Sequence, residues 1–417
     1  MSIQQTMKAY VIRKERYGKP VDAIICENIE IPDIGDNQVL ISVMAAGLNY
    51  NNVWAASGKP VDIISERLKK HPDELAFHIG GSEAAGIVYA TGKNVSNVKV
   101  GDEVVVSCAV YNAEDRESRR SSDPMFSRTQ EIYGYEVNYG SFAELTRVED
   151  YQCFPKPKFL TWEESASLML NGPTAYKQLT HWAPNNIKPG DPVLIWGAAG
   201  GLGSMSVQIA RALGGLPVGV VSSEEKGKFI LGLGAVGYLV RGEYENITDL
   251  PELGSEEYRA WTRSFARFRR DYFQALGAKK LPKIVVEHTG QKTFATSVQI
   301  CDRAGMVVTV GGTSGYNCGF DVRHLWMNQK RVQGSHYANL QECEQFLQLV
   351  EEKRVFPTLN NVYTFNETPL AHQDLLEGRV VGNASILVNA MERGMGTHVK
   401  AASDESTAVL HGVPRYE

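Results

Sequence analysis

The chain is 417 residues long, too long for one compact core, so two domains are the starting expectation. An apolar share of 43% with mixed charges excludes a disordered chain, and a net charge of −5 without a dense basic block argues against a nucleic-acid partner. Residues 1–10 lack the apolar run of a signal peptide, and no stretch nears the roughly 20 apolar residues of a membrane span, so the expected location is cytoplasmic.

In chain order, residues 8–11, 38–43, 86–90 and 103–106 are short β-type runs separated by Gly, Asp and Asn, the pattern of a mostly β domain. Residues 114–131 read as a long polar surface excursion. The stretches 60–71 and 243–280 read as polar insertions suited to contact with a neighbouring subunit. At Thr161 the character changes: Thr161 and Glu164 form a capping box, so a helix starts there. It breaks at Asn171-Gly172-Pro173, and a second helix opens with Pro173 in its first turn. Strand-like runs at 192–196, 217–221, 284–286 and 306–310 then alternate with helical runs such as 202–213 and 224–233. That alternation predicts an α/β fold with a doubly wound parallel Rossmann sheet. From Pro357 short strands return, and this segment either caps the sheet or rejoins the first domain. The expected boundaries are 1–163, 164–356 and 357–417, with the last taken to complete the catalytic domain. Six cysteines without a CxxC pair are expected to be buried small hydrophobes.

Between the strand 192–196 and its helix lies Gly197-Ala198-Ala199-Gly200-Gly201-Leu202-Gly203. A dinucleotide pyrophosphate needs a sharp turn without side chains and free N–H groups at a helix N-terminus. Gly197 serves the turn, while Gly200, Gly201, Leu202 and Gly203 form the cradle, in a strand–turn–helix context that favours a cofactor over mere turn tightening. A site for NAD ends the next strand with Asp or Glu. Here Ser222 and Ser223 stand there, with Lys226 one turn on and Arg241 after the following strand. The missing acid and the two cations point to NADPH, with solvent exposure the alternative for each cation.

Gly81-Ser82-Glu83-Ala84-Ala85-Gly86 stands where medium-chain alcohol dehydrogenases carry Gly-His-Glu. Ser82 is a poor zinc ligand and no cysteine quartet is present, so no metal is expected. Hydride transfer to a conjugated thioester or a quinone needs none.

Longer motifs narrow the choice. Asn49-Tyr50-Asn51-Asn52-Val53-Trp54, Asp123-Pro124-Met125-Phe126-Ser127 leading to Tyr133-Gly134-Tyr135-Glu136, Val286-Glu287-His288, Asp321-Val322-Arg323-His324-Leu325-Trp326-Met327 and Lys330-Arg331 with Gly334-Ser335-His336 resemble crotonyl-CoA carboxylase/reductases. The resemblance runs over residues 7–388. It implies a GroES-like catalytic domain beside the Rossmann domain, and NADPH-dependent reduction of an α,β-unsaturated acyl-CoA with capture of CO2. It also implies a homodimer or homotetramer. By that resemblance Asn51 donates its amide N–H to a CO2 oxygen, Glu136 and His336 hold an ordering water, and the Tyr135 ring shields the pocket. His288 lines the nicotinamide side, and Arg323 and Lys330 meet coenzyme A phosphates. Each has a structural alternative: Asn51 as a turn residue, Glu136 as a surface carboxylate, His336 satisfying a backbone carbonyl, and His288 a packing group. Arg323 and Lys330 have a solvated helix face as theirs. Plain enoyl-CoA reduction, quinone reduction and a non-catalytic nucleotide-binding protein remain rival readings.

Overall fold

The computed structural model describes residues 5–397, so the first residues of the chain and the far end of segment 357–417 lie outside the described residues. Within them the chain divides into two units, one built from 5–173, 337–348 and 357–397, the other from 174–336 and 349–356.

The first unit begins with β1 (Thr6–Ile12), β2 (Ile24–Glu30), β3 (Gln38–Leu48), β4 (His78–Ile79), β5 (Ala84–Thr91) and β6 (Glu103–Val106). It continues with β7 (Ala109–Val110), β8 (Glu131–Ile132), β9 (Leu145–Glu149) and β10 (Cys153–Pro155). In the second unit lie β11 (Pro192–Trp196), β12 (Leu216–Val221), β13 (Gly237–Val240), β14 (Ile284–Glu287), β15 (Met306–Thr309) and β16 (Arg331–Gly334). The chain returns to the first unit for β17 (Leu359–Thr364) and β18 (Asn383–Leu387).

The main sheet of the first unit has the order β10-β6-β5-β3-β18-β17, with β9 also pairing β3. Strand β3 is buried almost throughout, as its run of Val, Leu, Ile and Ala requires of a strand covered on both faces. Antiparallel pairing sets Ala384 opposite Leu48 and Leu387 opposite Ala45, so the late segment supports the strand that delivers Asn49. The stretch 114–131 differs from a bare surface excursion. It holds a helix, Arg116–Ser121, and a hub at Asp115, whose carboxylate accepts from the Ser118 and Arg128 N–H groups and the Ser127 hydroxyl. Local Asx and capping bonds satisfy the polar groups that made this stretch read as unstructured. Residues 60–71 likewise contain a helix, Ile63–Lys70, capped by Asp62.

The second unit's sheet has the order β13-β12-β11-β14-β15-β16 and is parallel throughout. The stretch 243–280 corrects the reading as a polar insertion, because it carries the helix Glu256–Leu276. Trp261, Phe265, Phe268 and Tyr272 recur at helical spacing and are buried in the same core as Leu194, Trp196, Val218 and Val285. Phe268 stacks on Trp196 with centroids 5.6 Å apart. Ser255 caps the helix at its start and Gly277, at φ +72°, ends it. Of the six cysteines, Cys26 is exposed and Cys318 partly so; the other four are buried. Among the described residues no helix is long and apolar enough to cross a membrane.

Candidate active site

In the second unit, β11 runs into Gly197 at φ +55°, and the Gly200 N–H closes a turn on the Gly197 carbonyl at 2.9 Å. Gly200 then caps the helix Gly201–Ala212. A Cβ on Gly203 would stand 2.3 Å from the Gly197 oxygen, so only glycine lets helix and turn approach this closely. Gly201 and Leu202 open the helix, whose N–H groups and dipole favour an anion. A glycine-lined turn before a helix N-terminus fits a dinucleotide pyrophosphate.

At the end of β12, Ser222 is exposed, and Ser223 caps the helix Glu224–Gly232 by accepting the Lys226 N–H at 3.3 Å. Glu224 accepts the Tyr238 hydroxyl at 2.5 Å, so its charge is turned toward β13. Arg241 is exposed just beyond β13. No acid follows β12 at the place where a ribose 2′-hydroxyl would be held, whereas hydroxyls and cations suit a 2′-phosphate. His288 follows β14 and sets its Nε2 2.8 Å from the Trp196 carbonyl. Its ring also covers Gly197, where a Cβ would meet Cε1 at 2.7 Å. Burial pushes this imidazole below its ordinary pKa, so it stays neutral. Glu287, fully buried beside it, accepts the N–H groups of Thr289 and Gly290 and the hydroxyls of Thr293 and Ser297.

The first unit brings three predicted residues to one cluster of loops. Asn49 caps the helix Tyr50–Ser57, and its Oδ1 accepts the Asn51 N–H at 3.2 Å. Asn51 lies in the first turn of that helix and donates its Nδ2 to the Ser82 hydroxyl at 3.1 Å. Gly134, at φ +68°, seats the next turn on the same loop, since a Cβ there would be 2.1 Å from the Gly81 oxygen. Tyr135 and Glu136 follow directly. The Glu136 carboxylate accepts the Ile132 N–H at 2.9 Å, and burial pushes its pKa above the ordinary carboxylate value.

The remaining residues lie in the second unit. His336 is exposed just past β16, although crowding by protein and the nearby Lys177 ammonium lower its pKa. Arg323 is exposed and forms a two-pronged ion pair with Asp321. Lys330 differs from the expected coenzyme A contact. Its ammonium donates inward to the carbonyls of Val298 and Gln299, closing the C-terminus of the helix Gln291–Ile300.

Sequence reasoning missed Asn49, Ser82 and Glu83 as parts of this pocket. Glu83 is fully buried, its Oε1 accepting the Leu170 N–H at 2.8 Å and its Oε2 lying 3.4 Å from the Asn49 amide. A carboxylate set between small apolar residues was the available signal, since such a group must find buried donors.

The alcohol dehydrogenase GroES-like domain family matches residues 35–158, and the zinc-binding dehydrogenase family matches residues 201–352. The crotonyl-CoA carboxylase/reductase of Cereibacter sphaeroides is 42% identical over 396 residues, which cover 95% of this chain and 90% of that protein. The crotonyl-CoA reductase of Streptomyces avermitilis is 36% identical over 386 residues, covering 90% and 84% respectively. The solved structure of crotonyl-CoA carboxylase/reductase AntE in complex with NADP matches with a TM-score of 0.89 at 46% identity, over 94% of this chain and 96% of that one. That of 2-octenoyl-CoA carboxylase reductase CinF, in complex with NADP and 2-octenoyl-CoA, matches with a TM-score of 0.88 at 33% identity, over 95% and 91%. The zinc implied by one family description does not fit this chain. Ser82 spends its hydroxyl on the Asn51 amide, and neither group is a zinc ligand. Among the described residues, no group of three or more His, Cys, Asp or Glu side chains could hold a metal.

Proposed function

The chain belongs to the crotonyl-CoA carboxylase/reductase family and is an NADP-dependent enzyme; from that premise we propose that it reduces a crotonyl-CoA-like enoyl thioester and captures CO2 on the resulting enolate. The product is a carboxylated acyl-CoA such as ethylmalonyl-CoA. Gly197, Gly200, Gly201, Leu202 and Gly203 would hold the pyrophosphate, Ser222, Ser223, Lys226 and Arg241 the 2′-phosphate, and His288 the nicotinamide side. Bound there, NADPH supplies the hydride that reaches C3 of the thioester. Negative charge then sits on C2 and the thioester oxygen, and the nearer electrophile, CO2 or a proton, takes that carbon.

CO2 is uncharged and binds weakly, so a preorganised donor and a dry pocket must bias the outcome. Asn51 supplies the donor. One of its two amide N–H bonds is spent on Ser82, which leaves the other aimed by a fixed side chain. By the family resemblance Glu136, whose pKa burial raises, would order a water and Tyr135 would keep bulk water out, and the resemblance gives His336 a water-ordering role as well. Arg323 meets the coenzyme A phosphates by exchanging its carboxylate partner Asp321 for phosphate oxygens. The enzyme acts as a homodimer or homotetramer, and the exposed Trp326 and Met327, shortly before β16, supply apolar surface for a second copy to cover.

The observation that carries this reading is the doubly tethered Asn51, its backbone fixed by Asn49 and its amide by Ser82. The test is product analysis with crotonyl-CoA, NADPH, labelled bicarbonate and carbonic anhydrase. We expect labelled ethylmalonyl-CoA from the wild type. Asn51→Leu should lower the carboxylated share about tenfold or more while NADPH oxidation continues. Butyryl-CoA alone at saturating CO2 would leave a plain enoyl-CoA reductase.

A further inference from the structure

Glu83 makes no contact with Asn51 among the hydrogen bonds described above, yet it closes the ring that holds it. Its carboxylate is fully buried. Oε1 accepts the Leu170 N–H at 2.8 Å, just before the helix Asn171–Thr180, and Oε2 faces the Asn49 amide. On its other side β3 presses Gly47 against it. A Cβ on Gly47 would stand 2.8 Å from Oε2 and 2.3 Å from the Ala166 carbonyl, so the carboxylate has no room to turn away. Asn49 hands the constraint on, because its Oδ1 accepts the Asn51 N–H. Asn51 then returns to Ser82, the residue next to Glu83 in the chain.

An asparagine amide has one acceptor end and one donor end, so its orientation follows from what faces it. An ionised Glu83 accepts only. It therefore draws the Nδ2 of Asn49 toward itself and leaves Oδ1 to cap the helix at Asn51. A neutral Glu83 carries a proton of its own and no longer dictates which end of Asn49 it meets. We propose that Glu83 is a positioning residue for CO2 capture, acting through Asn49 to fix the orientation of Asn51. This rests on the carboxylating reading of the pocket. Burial raises the Glu83 pKa to about 7, against the helix N–H groups and Asn49, which lower it. The groups packed on it leave little else to respond: β3 contributes Gly47, the helix Tyr50–Ser57 is reached through Asn49, and the start of the helix Asn171–Thr180 gives the Leu170 N–H. The Cys108 thiol beyond β6 is a titratable neighbour, and its own pKa lies far above the working range; the helix Trp162–Ala166, which packs on β5, brings the buried Glu163, whose carboxylate accepts the Gly394 N–H. The switch from accepting to neutral therefore falls within the pH range at which the enzyme is assayed.

The experiment measures the carboxylated share of product, relative to NADPH oxidised, from pH 6 to 8.5 at fixed dissolved CO2 with carbonic anhydrase present. Wild type, Glu83→Gln and Asn49→Ala are compared, with Asn51→Leu as control. Normalising to NADPH makes a variant that is merely slower indistinguishable from wild type. The expected wild-type share rises several-fold as pH passes through about 7. In Glu83→Gln it is low and flat, and Asn49→Ala, which keeps the Glu83 anchor to Leu170, reproduces that flat profile if the first variant does not fold. A pH-dependent share in Glu83→Gln equal to wild type would overturn the proposal, as would a flat wild-type profile. If wild type incorporates label and Asn51→Leu loses it while the Glu83 and Asn49 variants do not, the positioning role alone fails. If wild type incorporates none, the carboxylating reading fails with it.

Discussion

Two buried carboxylates, one in each unit, show how differently the same group can be accommodated. Glu287 ends β14 and is saturated: two backbone N–H groups and two hydroxyls point at it, at 2.7 to 3.0 Å. The Ser297 hydroxyl that serves it also accepts the Trp196 indole N–H at 2.7 Å, so the hub is tied to the sheet. Glu83 has the Leu170 N–H at one oxygen and, at the other, an amide 3.4 Å away, longer than the usual range for such a bond. Its pKa rises to about 7 because these donors do not repay the burial. A saturated hub fixes a loop, here the turn that carries His288. An undersupplied one stays sensitive to protons, which is useful only where something nearby must respond.

The largest effect should come from emptying the saturated hub. Glu287→Ala strands the Thr289 and Gly290 N–H groups and the Thr293 and Ser297 hydroxyls in a dry core. The expected loss is about 3–5 kcal/mol in chemical denaturation, since each buried donor left unpaired costs roughly 1–3 kcal/mol and some relax. A loss below about 1 kcal/mol would mean that water enters the site and the hub is not the fixed point described.

The undersupplied carboxylate should reveal itself through pH instead. Glu83 binds its proton more tightly in the folded chain, at about 7, than at its ordinary 4.5. The stability tied to that proton is therefore complete below about pH 4.5 and is lost as pH rises through about 7. Measured against Glu83→Gln, wild-type stability should fall by up to about 1.4 kcal/mol per pH unit in that window. Parallel stability profiles for the two proteins would place the Glu83 pKa outside it and remove the contrast with Glu287.

The two units also differ in how far the sequence reveals them. In the second, strands at 192–196 and 306–310 stood out as apolar runs, and the glycine cluster marked the cradle because close backbone approach leaves no other residue possible. The helix Glu256–Leu276 escaped notice although Trp261, Phe265, Phe268 and Tyr272 recur at helical spacing. Arg259, Arg263, Arg267, Arg269 and Arg270 cover its outer face, and average polarity hides a narrow apolar stripe. In the first unit, Asn51, Tyr135 and Glu136 were reached through family motifs alone. Nothing local in the sequence joins Asn49 to Glu83, or Glu83 to Leu170, which are 34 and 87 positions apart. Contacts of that span arise from packing of strands against helix starts. Lys330 shows the converse: its charge suggested a phosphate, but the nearest unpaired carbonyls of a helix end claimed it first.

The smallest predicted effect sharpens what saturation means. Thr293→Val keeps the side-chain shape and removes the hydroxyl that bonds both oxygens of Glu287. Three donors remain on the carboxylate: the Thr289 and Gly290 N–H groups and the Ser297 hydroxyl. The hydroxyl has one proton, for which the Gly290 carbonyl, 3.2 Å away, competes with Glu287. If the hub is over-supplied, losing one donor costs only about 1 kcal/mol, the net worth of an ordinary buried hydrogen bond. Chemical denaturation of the variant should therefore show a loss well below that of Glu287→Ala. A loss of about 3 kcal/mol or more would show that the hub depends on every one of its donors. The difference between the two carboxylates would then be one donor rather than a difference in kind.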